Sequence, residues 1–125
     1  MKFSLESNHK HARAGRLSVN NKTINTPAFM TIGTYGSVKT MDTFDLKKCN
    51  VEIILSNAFH LMLRPGTALI EKFGGLHQLM NWDGLILTDS GGYQVFSLGK
   101  DIKISDVGAE FRSPFNGDKV LMTPE

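Results

Sequence analysis

Short apolar runs separated by helical patterns are the feature that most limits the possible folds of this chain. Residues 28–32, 51–55 and 85–87 are apolar enough to predict strands, and the segments between them predict helices. The helical segments are residues 43–48, 58–63 and 67–73, with a short amphipathic turn at 75–80. Strand, polar loop, helix and strand in succession are typical of the βαβ units of a parallel sheet. The sequence therefore predicts an α/β fold.

Alternating patterns at both ends of the chain predict antiparallel strands. Residues 16–19 and 23–25 flank Asn20 and Asn21, which suits the tight turn of an N-terminal β hairpin. After residue 98 the pattern changes, and we expect an antiparallel insertion carried on the loop after the third parallel strand. Its predicted strands are residues 102–104, 108–112 and 119–122, with a turn at 114–117. We therefore divide the chain into a β prelude (1–25), three β/α units (26–98), and a segment with the insertion and the start of another helix (99–125).

Asp89 is the leading candidate for a functional side chain because it lies where the third predicted strand ends. Ser90, Gly91, Gly92 and Tyr93 follow it. Serine and glycine can offer backbone N–H groups and let a flat ligand approach the main chain, and a tyrosine ring offers a face for stacking. This combination favours a pocket over a packed core.

The other candidates lie at or just beyond the end of the second predicted strand. We assign Leu55 and Asn57 to the wall of the pocket, and we expect His60 at a pocket edge or a subunit contact. Structural interpretations stay open at this stage: Asn57 could cap a helix, Asp89 could cap a helix or pair with an arginine, and Tyr93 could belong to the core.

Composition narrows the class of protein without identifying a partner. A net charge of +2 and an apolar fraction of 41% are those of an ordinary globular chain, and they give only mild support for a polyanionic ligand. The single cysteine, Cys49, excludes an internal disulfide, and the histidines lack metal-ligand spacing, so no metal site is predicted within this chain. No apolar run is long enough to cross a bilayer. We expect a cytoplasmic protein with no membrane partner.

The motif around Asp89 resembles the central motif of the queuine/archaeosine tRNA-ribosyltransferases, specifically the bacterial tRNA-guanine transglycosylases. Further segments are similar to that family in the same order, and together they cover nearly the whole chain. The matching segments are ARAG at 12–15, TPAFM at 26–30, NAFHL at 57–61, RPG at 64–66, GGLH at 74–77, TDSGGYQ at 88–94, FRS at 111–113 and TPE at 123–125.

The resemblance implies a base exchange on RNA. Enzymes of this family replace guanine at the anticodon wobble position of tRNAs with a GUN anticodon by a 7-deazaguanine, which is preQ1 in bacteria, in queuosine biosynthesis. The residue matching Asp89 would be the general acid and base, and Asp89 to Tyr93 would contact the purine. The resemblance places the nucleophilic Asp, which forms a covalent ribosyl-enzyme intermediate, and the ligands of a structural zinc ion beyond residue 125. It also implies a homodimer.

The same resemblance implies the N-terminal portion of a (β/α)8 TIM barrel. A complete barrel needs roughly 250 residues, so we expect this chain of 125 residues to be part of a longer enzyme, inactive alone. Two other functions stay open at this stage. One is a non-catalytic tRNA-binding paralogue, and the other is a barrel enzyme acting on a small purine.

Overall fold

The structure, a computed structural model, describes residues 1–99 and 102–124. This part of the chain forms three separate three-stranded sheets joined by short helices. The α/β class predicted from the sequence is confirmed. The described elements do not establish a TIM barrel, since three parallel strands are common to many α/β folds.

The first sheet is an antiparallel meander in the order β1 (Lys2–His9), β2 (Ala12–Val19) and β3 (Lys22–Thr26). The predicted hairpin is confirmed, because β2 and β3 pair from Val19 opposite Lys22 to Gly15 opposite Thr26. Strand β1 was not predicted. All of its residues are exposed, so its alternation of apolar and polar residues does not mark a buried face.

The second sheet is parallel, in the order β4 (Thr31–Ile32), β5 (Ile53–Ser56) and β6 (Leu85–Thr88). The predicted parallel arrangement of these three strands is confirmed. The first strand is shorter than predicted, since only the last two residues of the run at 28–32 pair with β5.

In the described part of the chain, five short α-helices lie between and after these strands. They are α1 (Thr43–Lys48), α2 (Ala58–Leu61), α3 (Thr67–Lys72), α4 (Leu76–Met80) and α5 (Gly92–Ser97). Helix α1 begins as predicted, because the Asp42 side chain accepts a hydrogen bond of 2.8 Å from the Asp45 N–H. Helix α2 is shorter than predicted and passes into a wide turn at Met62–Gly66, where Arg64 is extended. That conformation is the one favoured for a residue preceding a proline, here Pro65.

The third sheet is the predicted antiparallel insertion. It contains β7 (Lys103–Ser105), β8 (Gly108–Arg112) and β9 (Lys119–Met122), with β8 in the centre. Each of the three predicted strands is found within one residue of its expected start. The predicted start of a further helix includes Glu125, which lies outside the described residues.

Three buried clusters join the sheets and helices. Leu46, Ile54, Met80 and Trp82 join α1 and α4 to one face of the parallel sheet. The second cluster, formed by Ile24, Ile53 and Leu85, packs the meander against the parallel sheet. The third, formed by Phe59, Val95 and Phe111, joins α2, α5 and β8.

The second cluster fixes the orientation of the meander. Ile53 and Leu85 are the first residues of β5 and β6, so the meander packs against the N-terminal ends of the parallel strands and leaves their C-terminal ends free for a site. Among the described residues, none of the helices has the length and apolar content needed to span a membrane.

Candidate active site

Asp89 is held between the C-terminal ends of two adjacent parallel strands. Its backbone N–H donates to the Ser56 carbonyl at 3.3 Å, continuing the pairing of β6 with β5. Its carboxylate accepts two hydrogen bonds, one of 2.8 Å from the Ala58 N–H and one of 2.5 Å from the Asn57 side-chain amide. The structure therefore brings together Asp89 and Asn57, two residues that the sequence assigned to one pocket.

The hydrogen bond to Ala58 means that Asp89 caps helix α2 from a neighbouring strand. Asn57 occupies the N-cap position, with extended backbone angles, but its side chain makes no capping hydrogen bond. The Asp89 carboxylate instead accepts the N–H of the first helical residue, one of the donors that a helix start leaves unsatisfied. The alternative that Asp89 caps a helix is therefore confirmed, and the helix is α2. The alternative that the Asn57 side chain caps this helix is not.

The cap leaves part of the Asp89 carboxylate unused. A carboxylate has about four lone-pair positions for hydrogen bonds, and the described donors, Asn57 and Ala58, account for two of them. The ion pairs in the described part of the chain join Arg16 to Glu6 and Lys47 to Asp83, so the alternative of an arginine partner for Asp89 is not found there.

The turn after Asp89 requires a glycine at position 91. Gly91 has φ of +71°, in the left-handed region. A β-carbon built on it would lie 2.7 Å from Cε of Met122, closer than real contacts allow, and 3.1 Å from Cβ of Phe59, closer than most of them. The side of Gly91 where a β-carbon would project is therefore filled by protein. Ser90 Oγ accepts from the Gly92 N–H at 3.3 Å, and α5 begins there.

Asp89 borders a cavity of about 770 Å³ between α2, α3 and the antiparallel insertion. This volume lies within the range of roughly 300–1,000 Å³ that is usual for small-molecule sites. The lining is mainly apolar, and its polar side chains are those of Thr67, Thr88, Asp89, Ser90 and Thr123. Its other lining residues are Ala58, Leu61, Met62, Ile70, Leu76, Leu121, Met122 and Pro124.

The other predicted site residues lie around this cavity without lining it. Tyr93 is 79% exposed on α5, so it is not a core residue and its ring is open to solvent. Leu55 pairs with Ile32 and Leu87 in register across the parallel sheet. Because residues in register point to the same face of a parallel sheet, these three side chains form one apolar row near the C-terminal ends of the strands.

Histidine 60 and Arg64 lie on the other side of α2. The Tyr35 ring meets the His60 ring edge-on, with centroids 5.1 Å apart. Tyr35 also lines a second cavity, of about 560 Å³, together with Arg64, Pro65 and Phe115. His60 itself is not among the described residues that line either cavity, so its place at a pocket edge or a subunit contact stays a prediction.

Sequence reasoning missed three contributors to the site. The Ala58 N–H holds the carboxylate, and Phe59 and Met122 enclose the Gly91 turn. Residue 58 begins a predicted helix just after the predicted second strand. Because the first N–H groups of a helix have no acceptor within the helix, this position could have indicated a donor available to the site. Ser56, at the end of β5, is fully buried, and its Oγ has no hydrogen-bond partner among the described residues; the sequence alone does not show this.

A carboxylate at the C-terminal end of a parallel strand, beside a cavity, defines a candidate ligand site in an α/β protein. Comparison with known proteins specifies the family: a family model described as queuine tRNA-ribosyltransferase matches residues 7–125. The chain belongs to that family, and the resemblance stated from its motifs is confirmed.

Several relatives carrying the name queuine tRNA-ribosyltransferase align with all of this chain. The protein of Nitrosomonas eutropha is 57% identical over the 125 residues, which are 35% of its own length. Those of Nitrosospira multiformis and Herminiimonas arsenicoxydans are 56% and 54% identical, over 34% and 33% of their lengths. The chain thus spans about a third of the length of the relatives that it matches.

Proposed function

We propose that this chain supplies the base-binding, proton-transferring segment of a tRNA-guanine transglycosylase. The full-length enzyme would exchange guanine at the wobble position of tRNAs with a GUN anticodon for a 7-deazaguanine, preQ1 in bacteria, as a step of queuosine biosynthesis. The observation that carries the proposal is the Asp89 carboxylate, which is fixed by Asn57 and Ala58 and borders a cavity wide enough for a purine. Membership of the queuine tRNA-ribosyltransferase family supports the choice of tRNA as substrate.

The chemistry requires two carboxylates with different roles. Cleavage of an N-glycosidic bond develops positive charge on the ribose, so one carboxylate attacks the sugar and forms a covalent intermediate. In our proposal this nucleophile is an Asp beyond residue 125. The departing guanine takes up a proton and the incoming base loses one, and Asp89 would donate and accept these protons. Two successive displacements at the same carbon retain its configuration.

The neighbours of Asp89 would bind the purine. Ser90 lines the cavity beside Asp89 and offers a hydroxyl group to the edge of the base. The exposed ring of Tyr93 is available for stacking on a base, as aromatic side chains do in recognition of unpaired nucleotides. Gly91 and Gly92 shape the turn between these residues, and Leu55 and Asn57 would form the adjoining wall.

We also propose that the parallel sheet is the beginning of a (β/α)8 barrel. Its strands follow chain order from β4 to β6, as consecutive barrel strands do. The row formed by Ile32, Leu55 and Leu87 includes two markedly exposed side chains, Ile32 at 55% and Leu87 at 39%, and further strands would cover it. In this proposal residues 1–25 are the prelude, 26–98 the first three β/α units and 99–125 an insertion with the start of the next helix.

Zinc, the dimer and the cellular location are proposed from the family resemblance alone. Among the described residues no three His, Cys, Asp or Glu side chains cluster as metal ligands, so this segment does not fit the zinc site and no step of the reaction is assigned to it. A structural zinc ion would be bound by residues beyond 125. We further propose a cytoplasmic homodimer for the full-length enzyme.

The test uses a full-length protein in which residues 1–125 of this chain are joined to the rest of the Nitrosomonas eutropha relative. Incorporation of labelled guanine into tRNA with a GUN anticodon is measured for this joined protein and for Asp89→Ala. Since general acid–base catalysis is worth about 10²–10⁴-fold, we expect Asp89→Ala to lose at least about 100-fold in kcat while tRNA affinity is largely kept. The control Asp106→Ala removes an exposed carboxylate in the turn between β7 and β8.

The outcomes separate the functions that the sequence left open. Base exchange that survives Asp89→Ala contradicts the role given to Asp89. A joined protein that is folded and binds tRNA without exchanging guanine indicates the non-catalytic paralogue, and cleavage of a free purine nucleoside without tRNA indicates the small-purine enzyme. The unaltered Nitrosomonas eutropha relative, assayed in parallel, verifies the assay conditions.

A further inference from the structure

The antiparallel insertion packs against the elements that hold Asp89. Phe111 of β8 is 2% exposed and stacks on Phe59 of α2, with ring centroids 5.3 Å apart and planes at 28°. Val95 of α5 completes this buried cluster. Helix α2 begins with the Ala58 N–H that binds Asp89, and α5 begins directly after the Gly91 turn. The insertion therefore supports α2, which the carboxylate caps, and α5, which follows the loop that carries the carboxylate.

Met122 of the insertion packs against the Gly91 turn itself. Its terminal methyl group lies 2.7 Å from the position that a β-carbon on Gly91 would take, and Phe59 Cβ lies 3.1 Å from the same position. The methyl group therefore packs against the α-carbon of Gly91, on the side where Phe59 of α2 also lies. Met122 is the last residue of β9 and lines the cavity beside Asp89.

We propose that Met122 is a positioning residue for Asp89. It fills the space beside Phe59 on the side of Gly91 where a β-carbon would project. This packing ties the turn to α2 and keeps the carboxylate two residues earlier within hydrogen-bond distance of the Ala58 N–H. A thioether side chain suits the role because it is long, unbranched and able to fill an irregular gap. Without the methyl group, Phe59 still meets the turn directly, but the side chain that fills the space beside this contact is lost, and α2 and the turn are packed less tightly on each other.

The predicted change in kcat rests on the proposed function, whereas the predicted change in hydrogen exchange at Ala58 does not. A misplacement of about 1 Å in a reacting group can cost about 100-fold in rate. If Met122 mainly positions Asp89, its loss should lower kcat by a larger factor than it changes the KM for tRNA, because most of the tRNA would be bound outside the cavity that Met122 lines. The Ala58 N–H should also exchange its proton with solvent faster once its acceptor is displaced.

The experiment compares Met122→Ala, Met122→Leu and Ile104→Ala in the joined full-length protein. Leucine conserves the volume of methionine closely and should restore the packing. Ile104, on β7 of the same sheet, is 81% exposed and serves as the control for an apolar truncation. The kcat and KM for guanine incorporation are measured at a temperature where all variants are folded, together with hydrogen–deuterium exchange of the peptide that contains Ala58.

We expect Met122→Ala to lower kcat by about 10- to 100-fold with a much smaller change in the KM for tRNA, and to speed exchange at Ala58. Both effects should be reversed in Met122→Leu and absent in Ile104→Ala. The inference is overturned if Met122→Ala keeps the parent's kcat and exchange rate. It is also overturned if the KM of Met122→Ala rises as much as its kcat falls and Met122→Leu does not restore the kcat of the parent. Should the parent protein fail to exchange guanine, the proposed function is wrong, and the exchange rate at Ala58 alone then decides whether Met122 positions Asp89.

Discussion

Gly91→Ala is expected to destabilise the protein by about 2 to 5 kcal/mol, for two separable reasons. The first is the backbone: Gly91 has φ of +71°, and an L-residue in the left-handed region costs roughly 1–2 kcal/mol. The second is packing. The added methyl group would lie 3.1 Å from Cβ and 3.3 Å from the backbone N of Phe59, and 2.7 Å from Cε of Met122. The end of the methionine side chain can rotate away at little cost, but Phe59 cannot, and overpacking against it typically costs about 1–3 kcal/mol.

A second glycine separates the two contributions. Gly117 has φ of +76°, close to that of Gly91, but a β-carbon there would meet no atom within 4 Å. Gly117→Ala should therefore show only the backbone cost of about 1–2 kcal/mol. The free energy of unfolding is measured by urea denaturation with linear extrapolation. Trp82, the single tryptophan of the sequence, is 4% exposed and should report unfolding by its fluorescence.

The difference between the two variants measures the contact at the Asp89 turn. We expect Gly91→Ala to be less stable than Gly117→Ala by about 1–3 kcal/mol, which is the packing contribution alone. Equal destabilisation by the two substitutions would refute the close packing of Phe59 on Gly91.

Two further predictions concern the surface around α1. Asp42→Ala removes the side-chain acceptor of the Asp45 N–H at the start of α1. We expect the free energy of unfolding, measured by urea denaturation, to fall by about 0.5–2 kcal/mol. No loss would mean that water replaces the cap. The hydrogen bond from Lys47 lowers the pKa of Asp83 below its ordinary value of 3.8. The ion pair therefore stabilises the fold fully at pH values above 3.8, and this contribution is lost as the pH falls through the lowered pKa. In Lys47→Met the pKa of Asp83 should rise towards 3.8, as followed by NMR of the carboxyl carbon; an unchanged pKa would contradict the ion pair.

The elements that the sequence predicted well are those whose signals are local. Helix α1 has its capping residue, Asp42, and its apolar positions within a few residues of each other, and the structure confirms its bounds. Strand β1 was missed because its eight residues are all exposed and are held by pairing with β2. Such pairing depends on the partner strand, and the pattern of β1 alone does not determine it. Helix α2 was predicted too long, since Arg64 and Pro65 alter the backbone beyond Leu61.

The candidate site shows the same division between local and distant signals. The sequence predicted the carboxylate and its neighbours because a strand end, two glycines and a tyrosine are adjacent in the chain. It did not predict the Ala58 N–H as the partner of Asp89, because a backbone donor carries no mark of residue type. Nor did it predict Met122, which reaches Gly91 only through the return of β9 along the antiparallel insertion. Contacts of this kind depend on tertiary packing.

The positions of the buried clusters imply that the site depends unequally on the two antiparallel sheets. A three-stranded sheet gains most of its stability by packing one face on another element. The meander does so through Ile24, which meets Ile53 and Leu85 at the starts of β5 and β6. Asp89 lies four residues beyond Leu85, about 13 Å along an extended strand. The insertion instead packs through Phe111 directly on Phe59, next to the Asp89 cap. Loosening the meander should therefore affect overall stability first, whereas loosening the insertion should alter the geometry of the carboxylate.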